Sequence, residues 1–282
     1  MFELAPQNLV PIISQALIED QGSGDITTEA TVDRTLVARG NFLAKKELVL
    51  AGWPVVVEVF RILSQRISSE ILFDEGATIV KGAVIGRIQG PAYLLLAGER
   101  VALNFLQRLC GIATYTRRLV QAVEGTGVGI LDTRKTTPGL RLLEKYAVRV
   151  GGGVNHRFGL YDGVLIKENH VTAAGGIKRA VQQARSKVGH LHKIEIEISN
   201  MQELEEALQV GVEVVLLDNM NPEDVRESVA RIQGKTVVEV SGGIDSRNIR
   251  DYAASGVDFI SIGALTHSVK AADISLELEI AL

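Results

Sequence analysis

The chain has 282 residues, a formal net charge of −4, 46% hydrophobic residues and 23% charged ones. That length admits one large α/β domain or a barrel with a smaller companion. The apolar share excludes a disordered chain, and the mild acidity excludes a chain-wide attraction to nucleic acid or to an anionic membrane. Leu9, Ile12, Ile13, Ala16 and Leu17 recur at helical spacing and predict an amphipathic opening helix, ended by the polar turn QGSGD. The opening stretch MFELAPQNLVPIISQALIED has no basic residue before its apolar part, so a signal peptide is not expected. No apolar run reaches the ~20 residues of a membrane span.

From about Thr31 to Pro91, β-prone runs (LVARGNFLA, ISSEILF, ATIV, AVIGRIQG) stand between glycine-rich and charged turns, with one helix near Pro54 to Leu63. This half predicts a small α/β domain. EGATIVKGAVIGRIQG has the outline of a carrier-domain hairpin, but Lys81 is not at its tip, and plain sheet is the better reading. From Ala97 to Val123 the sequence predicts a long helix with a break or bend near Gly111. Cys110, the single cysteine, lies among Leu106, Leu109 and Ala113; it reads as a buried structural thiol, and its solitude rules out an intramolecular disulfide. A cytoplasmic protein fits that cysteine usage.

After this helix the chain settles into a rhythm of short β-branched strand, polar stop and helix. The strands are GVGILDT, GVLIKEN, KIEIEIS, VVLLDN, VVEVSGG and FISIGA, and YAVRVGG is read as one more. Units of about twenty residues suit one strand, one helix and two tight loops. They point to a parallel sheet covered by helices, and a β/α barrel is preferred to an open doubly wound sheet because no glycine-rich dinucleotide fingerprint follows any strand.

In a barrel the C-terminal strand ends share one mouth. Here they carry Thr133, Arg134 and Lys135, then His156 and Arg157, then Lys167, followed by Glu197 and Asp218. Arg134 precedes a Thr-Thr-Pro-Gly turn, and its guanidinium has the fork geometry that suits a carboxylate or phosphate. Glu195 and Glu197 alternate with isoleucines and so face one side of their strand, Glu197 nearer the mouth and Glu195 deeper and structural. Glu197 and Asp218 can hold ribose hydroxyls, a water-bound Mg²⁺ or a developing positive charge. Ser241, Gly242 and Gly243 (SGGI) and Gly263 with His267 (SIGALTHS) come from the last two strands, where barrels bind phosphate on backbone N–H groups. Acids for a sugar, amides for its phosphate and cations for a separate anion suggest the joining of an acidic small molecule to an activated ribose phosphate.

With those motifs in place, LDTRKTTPGLRLLEKYAVRVGGGVNHRFGLYDGVLIKENH, followed by IEIE, LLDN, EVSGGI and ISIGALTHS, resembles the quinolinate phosphoribosyltransferase family (nicotinate-nucleotide pyrophosphorylase, carboxylating). GSGDITT, AGWPVVVEVF and ERVALNFLQRLCGIATYT extend the resemblance almost end to end. It implies an N-terminal α/β sandwich domain over residues 1–110, joined by a C-terminal tail at 272–282, and an incomplete seven-stranded β/α barrel over 111–271. It also implies transfer of phosphoribosyl from phosphoribosyl pyrophosphate to quinolinate with loss of CO2, as in NAD synthesis.

By the same resemblance Thr133, Arg134, Lys135, His156, Arg157 and Lys167 bind quinolinate, together with Arg100 from a neighbouring subunit. Glu197, Asp218, Ser241, Gly242, Gly243, Gly263 and His267 bind phosphoribosyl pyrophosphate. Lys135, Lys167, Glu197 and Asp218 are catalytic, and Glu197 and Asp218 hold Mg²⁺. A homodimer or higher even oligomer with shared sites follows, with no nucleic-acid or membrane partner. Two alternatives stand beside it: a non-catalytic or altered-substrate homologue of the molybdenum-transport-associated type, and a Schiff-base barrel aldolase using Lys167.

Overall fold

The computed structural model describes residues 4–280. Met1 to Glu3 of the opening stretch and the last two residues of the 272–282 tail lie outside the described residues. The chain divides into two compact units, one of Met1–Arg117, Thr136–Gly152 and Ser268–Leu282, the other of Arg118–Lys135 and Gly153–His267. The first unit thus takes in residues 136–152 as well as the N-terminal part of the chain and its C-terminal tail.

In the first unit an antiparallel sheet runs in the order Ile274–Ile280, Val37–Ala44, Val84–Pro91, Ser68–Ile71. Strand Val37–Ala44 buries Ala38, Phe42 and Ala44, as period-two patterning requires. The tail lies along the same strand, with Phe42 opposite Leu276. Helices Pro6–Gln21 and Trp53–Leu63 pack on one another. The second starts where Glu75 accepts the backbone N–H groups of Gly52 and Trp53 at 2.7 and 2.8 Å, filling bonds a helix start leaves open. Trp53 meets the edge of Phe42 with ring centroids 5.3 Å apart.

The long helix is Ala92–Ala122, starting earlier than expected and running unbroken through Gly111. The expectation of a break there is corrected: a Cβ on Gly111 would stand 2.2 Å from the carbonyl oxygen of Lys270, so the glycine serves a close backbone approach. Cys110 is fully buried, its sulfur 3.4 Å from both the N–H and the C=O of Ala51, and burial pushes the thiol up to about 12.

YAVRVGG is also corrected. It closes the helix Arg141–Val150, whose Leu143, Glu144, Ala147 and Val148 are buried at i, i+4 spacing. Arg108 holds Glu144 with bonds of 2.8 and 2.5 Å, and Tyr146 donates to Glu75 at 2.7 Å, which ties residues 141–150 into the first unit.

The second unit is a parallel sheet in the order Gly129–Leu131, Phe259–Ser261, Val237–Ser241, Val214–Asp218, Ile194–Ile198, Val164–Ile166. Val154 bridges Leu131 in parallel and supplies a seventh position. Among the described residues no ladder joins Val154 to Val164–Ile166, so the β/α barrel is incomplete between its second and third segments. Asn200 and Asn221 cap the helices Met201–Val210 and Pro222–Ile232 by accepting from backbone N–H groups. One face of the strands, with Ile196, Ile198, Val215, Leu217, Val238 and Val240, is buried in the core. The alternate residues turn the other way. No helix among the described residues is long and apolar enough to cross a membrane.

Candidate active site

Those alternate residues build a cavity of about 690 Å³ at the C-terminal strand ends of the second unit. Strand Val164–Ile166 leads into it with Leu165 and Lys167, Ile194–Ile198 with Glu197, Val214–Asp218 with Leu216 and Asp218, and Val237–Ser241 with Glu239 and Ser241. Register explains the convergence: Glu197 stands opposite Leu216, Leu216 opposite Glu239, and Asp218 opposite Ser241. Thr133, Arg134, Lys135, His156 and Arg157 complete one part of the wall, and Gly242, Gly243, Gly263 and His267 another. Arg100 is not among the lining residues; it is exposed on the helix Ala92–Ala122 in the first unit.

The loop after Val154 is fixed by its own hydrogen bonds. Asp132, fully buried, accepts from the His156 N–H at 2.9 Å and from Asn155 Nδ2 at 2.6 Å. Asp162 accepts the N–H groups of Phe158 and Gly159 at 2.6 and 2.7 Å. Arg157 donates from Nη1 to the Gly163 carbonyl at 3.0 Å. Burial, and then the nearby charge of Arg134, hold the Arg157 guanidinium below its ordinary range. Two like charges brought together against that cost form a site that an anion relieves.

The carboxylates show the converse. Burial and then Glu197 raise Asp218 above the usual carboxylate range, while Lys167 and Lys135 act the other way. Lys167 pairs directly with Glu197. At the last two strand ends Gly242 has φ 103°, and a Cβ there would stand 2.2 Å from Asn219 Oδ1, so only glycine lets the backbone pass. Thr266, in the short helix Ala264–His267, donates to the Lys135 carbonyl at 2.7 Å and ties that helix to the first strand's loop.

Sequence reading passed over Glu239, Asn219, Leu165, Leu216 and Ser261, all of which line the cavity. Glu239 was findable. It stands two residues before Ser241 in VVEVS, as Glu195 stands two before Glu197 in IEIEI, and period two sends both pairs to one face. Burial and then the Glu195 charge push Glu239 up to about 7. Glu195 sits behind the lining, with Oε1 buried and unpartnered. Asn219 takes φ 56° and donates from Nδ2 to Asp218 Oδ2 at 2.6 Å, orienting that carboxylate.

Two family models match the chain: quinolinate phosphoribosyl transferase, N-terminal domain, over residues 25–110, and quinolinate phosphoribosyl transferase, C-terminal domain, over residues 112–277. The chain is 43% identical over 270 residues to a probable nicotinate-nucleotide pyrophosphorylase (carboxylating) of Bacillus subtilis, covering 96% of this chain and 93% of that protein. It is 37% identical over 295 residues to a mitochondrial quinolinate phosphoribosyltransferase (decarboxylating) of Nicotiana glauca, covering 96% and 82%. Among solved structures, NadC from Streptococcus pyogenes superposes with a TM-score of 0.95 at 39% identity, covering 99% of each chain. The nicotinate-nucleotide pyrophosphorylase of Francisella tularensis gives 0.94 at 39% identity, covering 98% of each.

Proposed function

The chain belongs to the quinolinate phosphoribosyltransferase family, and from that premise we propose that it transfers phosphoribosyl from phosphoribosyl pyrophosphate to quinolinate, releasing pyrophosphate and CO2 and leaving nicotinate mononucleotide. The observation that carries this reading is the single cavity in which Arg134, Lys135 and Arg157 meet Glu197, Asp218 and the glycine turns of the last two strands.

The roles follow from charge and geometry. Arg134, Arg157 and Lys167 take the two carboxylates of the aromatic acid, with Thr133 beside them and Lys135 shared with the departing pyrophosphate. Holding the ring nitrogen against C1 of the ribose removes most of the entropic cost of the encounter. Glu197 and Asp218 hold the ribose hydroxyls and stabilise the positive charge that grows on the sugar as pyrophosphate leaves. Ser241, Gly242, Gly243, Gly263 and His267 receive the 5′-phosphate. Once ribosylated, the ring nitrogen is cationic, so the electron pair left by the adjacent carboxylate is stabilised where it forms.

Magnesium is part of the same proposal. The residues fit it: Glu197 and Asp218 bring hard carboxylate oxygens to one cavity, and burial and then the Glu197 charge raise Asp218 above the usual carboxylate range. When bound, the ion would neutralise the pyrophosphate and be held by Glu197 and Asp218 through water. A dimer or higher even assembly, with Arg100 reaching a neighbour's site, and a cytoplasmic location complete the reading. Support for the former is the exposure of Arg100 together with its absence from the lining of its own chain's cavity. The aldolase alternative is disfavoured because both family models that match the chain are of quinolinate phosphoribosyl transferase.

The test is release of CO2 from carboxyl-labelled quinolinate, which should require both phosphoribosyl pyrophosphate and Mg²⁺, with little turnover of nicotinate. Quinolinate binding without CO2 release would instead identify a non-catalytic relative.

A further inference from the structure

His156 faces the cavity, yet both of its ring nitrogens are engaged within the wall. Nδ1 accepts the backbone N–H of Arg157 at 2.7 Å. A ring nitrogen that accepts carries no proton, so the ring proton lies on Nε2. Nε2 points at two buried carboxylates, 3.1 Å from Glu195 Oε2 and 3.6 Å from Glu239 Oε2. Glu195 and Glu239 are 8% and 3% exposed, so water does little of this work.

Donor atoms of His156, Glu195 and Glu239 lie within 4.8 Å of one another, which invites a metal reading. The imidazole argues against it. A metal-bound histidine normally donates its other ring N–H to an acceptor, whereas here the other nitrogen accepts an N–H. A metal on Nε2 would leave an imidazolate, a poor outcome beside two carboxylates.

We infer that His156 is a positioning residue and not a substrate cation: held by Glu195 and Glu239 as the neutral Nε2–H ring, it accepts the Arg157 backbone N–H and so fixes the stretch of main chain from which the Arg157 side chain reaches the Gly163 carbonyl. Asp132 holds the His156 backbone N–H, the imidazole holds the Arg157 backbone N–H, and the Gly163 carbonyl holds the Arg157 guanidinium, so the two residues are pinned at backbone, ring and side-chain end. A fixed backbone origin and an anchored side-chain end keep that guanidinium beside Arg134, whose like charge works against it. The inference rests on the reading of this cavity as the quinolinate site, and it adds Glu195 and Glu239 to the groups on which acid binding depends.

Three substitutions separate positioning from charge. In His156→Asn the amide oxygen takes the place of Nδ1 as acceptor; His156→Lys supplies only a cation; His156→Ala supplies neither. Steady-state kinetics with both substrates should leave the quinolinate KM of His156→Asn within about threefold of wild type, while His156→Lys and His156→Ala raise it about tenfold or more with smaller changes in kcat and in the KM for phosphoribosyl pyrophosphate. Recovery by lysine, or equal loss in all three, overturns the inference. A second readout needs no substrate: ¹⁵N-histidine spectra of the wild-type chain at neutral pH, assigned by loss of the signal in His156→Asn, should show a protonated Nε2 and an unprotonated Nδ1. A ring protonated at both nitrogens overturns the inference as well. Wild-type protein that fails to turn over quinolinate would sink the reading of the site instead, leaving the spectrum to judge the tautomer.

Discussion

Arg157 and Arg134 are both cations facing the cavity, but their surroundings differ: Arg157 is partly buried and bonded to Gly163, while Arg134 is exposed. Removing Arg157 leaves a substrate carboxylate unpaired in a partly dry site, so Arg157→Ala should weaken quinolinate binding by about 2–3 kcal/mol. Arg134→Ala should cost only ~1 kcal/mol, because a solvated charge contributes little. Titration calorimetry with quinolinate checks both, and a larger loss at Arg134 would reverse the assignment.

Glu239 makes a separate, pH-dependent prediction. Its folded-state value is raised from 4.5 to about 7 by burial and Glu195. A raised value means that its contribution to stability is complete below the unfolded value and is lost as pH rises through about 7. Glu239→Gln does not titrate, so its stability relative to wild type should improve by about 3 kcal/mol between pH 5 and pH 8 in urea unfolding. A difference independent of pH would mean that Glu239 is not held in that way.

At the scale of elements, period and punctuation carried most of what could be read. The six parallel strands were legible because each is a short β-branched run ending in a polar residue, and helix Trp53–Leu63 because proline opens an apolar stripe. YAVRVGG misled because valine and tyrosine favour strands, whereas the burial of Leu143, Ala147 and Val148 and the bonds of Glu144 and Tyr146 select helix. Gly111 misled for a related reason: a glycine inside a helical pattern suggests a break until a neighbouring backbone is known to lie against it. Gly111→Ala therefore opposes two effects. Alanine gains about 1 kcal/mol of helix propensity, but its Cβ meets the Lys270 carbonyl, and overpacking of this kind costs about 1–3 kcal/mol. Thermal unfolding should show a net loss; a stabilised variant would dismiss the close approach.

At the scale of the whole molecule, Arg100 is the residue whose proposed role needs a second chain. If sites are shared, mixing Arg100→Ala with Lys167→Ala subunits, each inactive by itself, should restore about a quarter of wild-type activity, since half of the random dimers are mixed and each carries one intact site. No recovery after verified subunit exchange would make each chain's site self-contained.

The sequence by itself determined the alternation of strands and helices, the cations and carboxylates at the strand ends and the glycine turns after the last two strands, because each is a matter of local period or of residue type at a fixed offset from an element's end. Tertiary structure alone decided that Val154 supplies the seventh parallel segment, that residues 136–152 join the first unit, and that His156 spends its ring on Arg157, Glu195 and Glu239. Each of these depends on groups distant in the chain meeting in space, and no local pattern records which partner a buried polar atom will find.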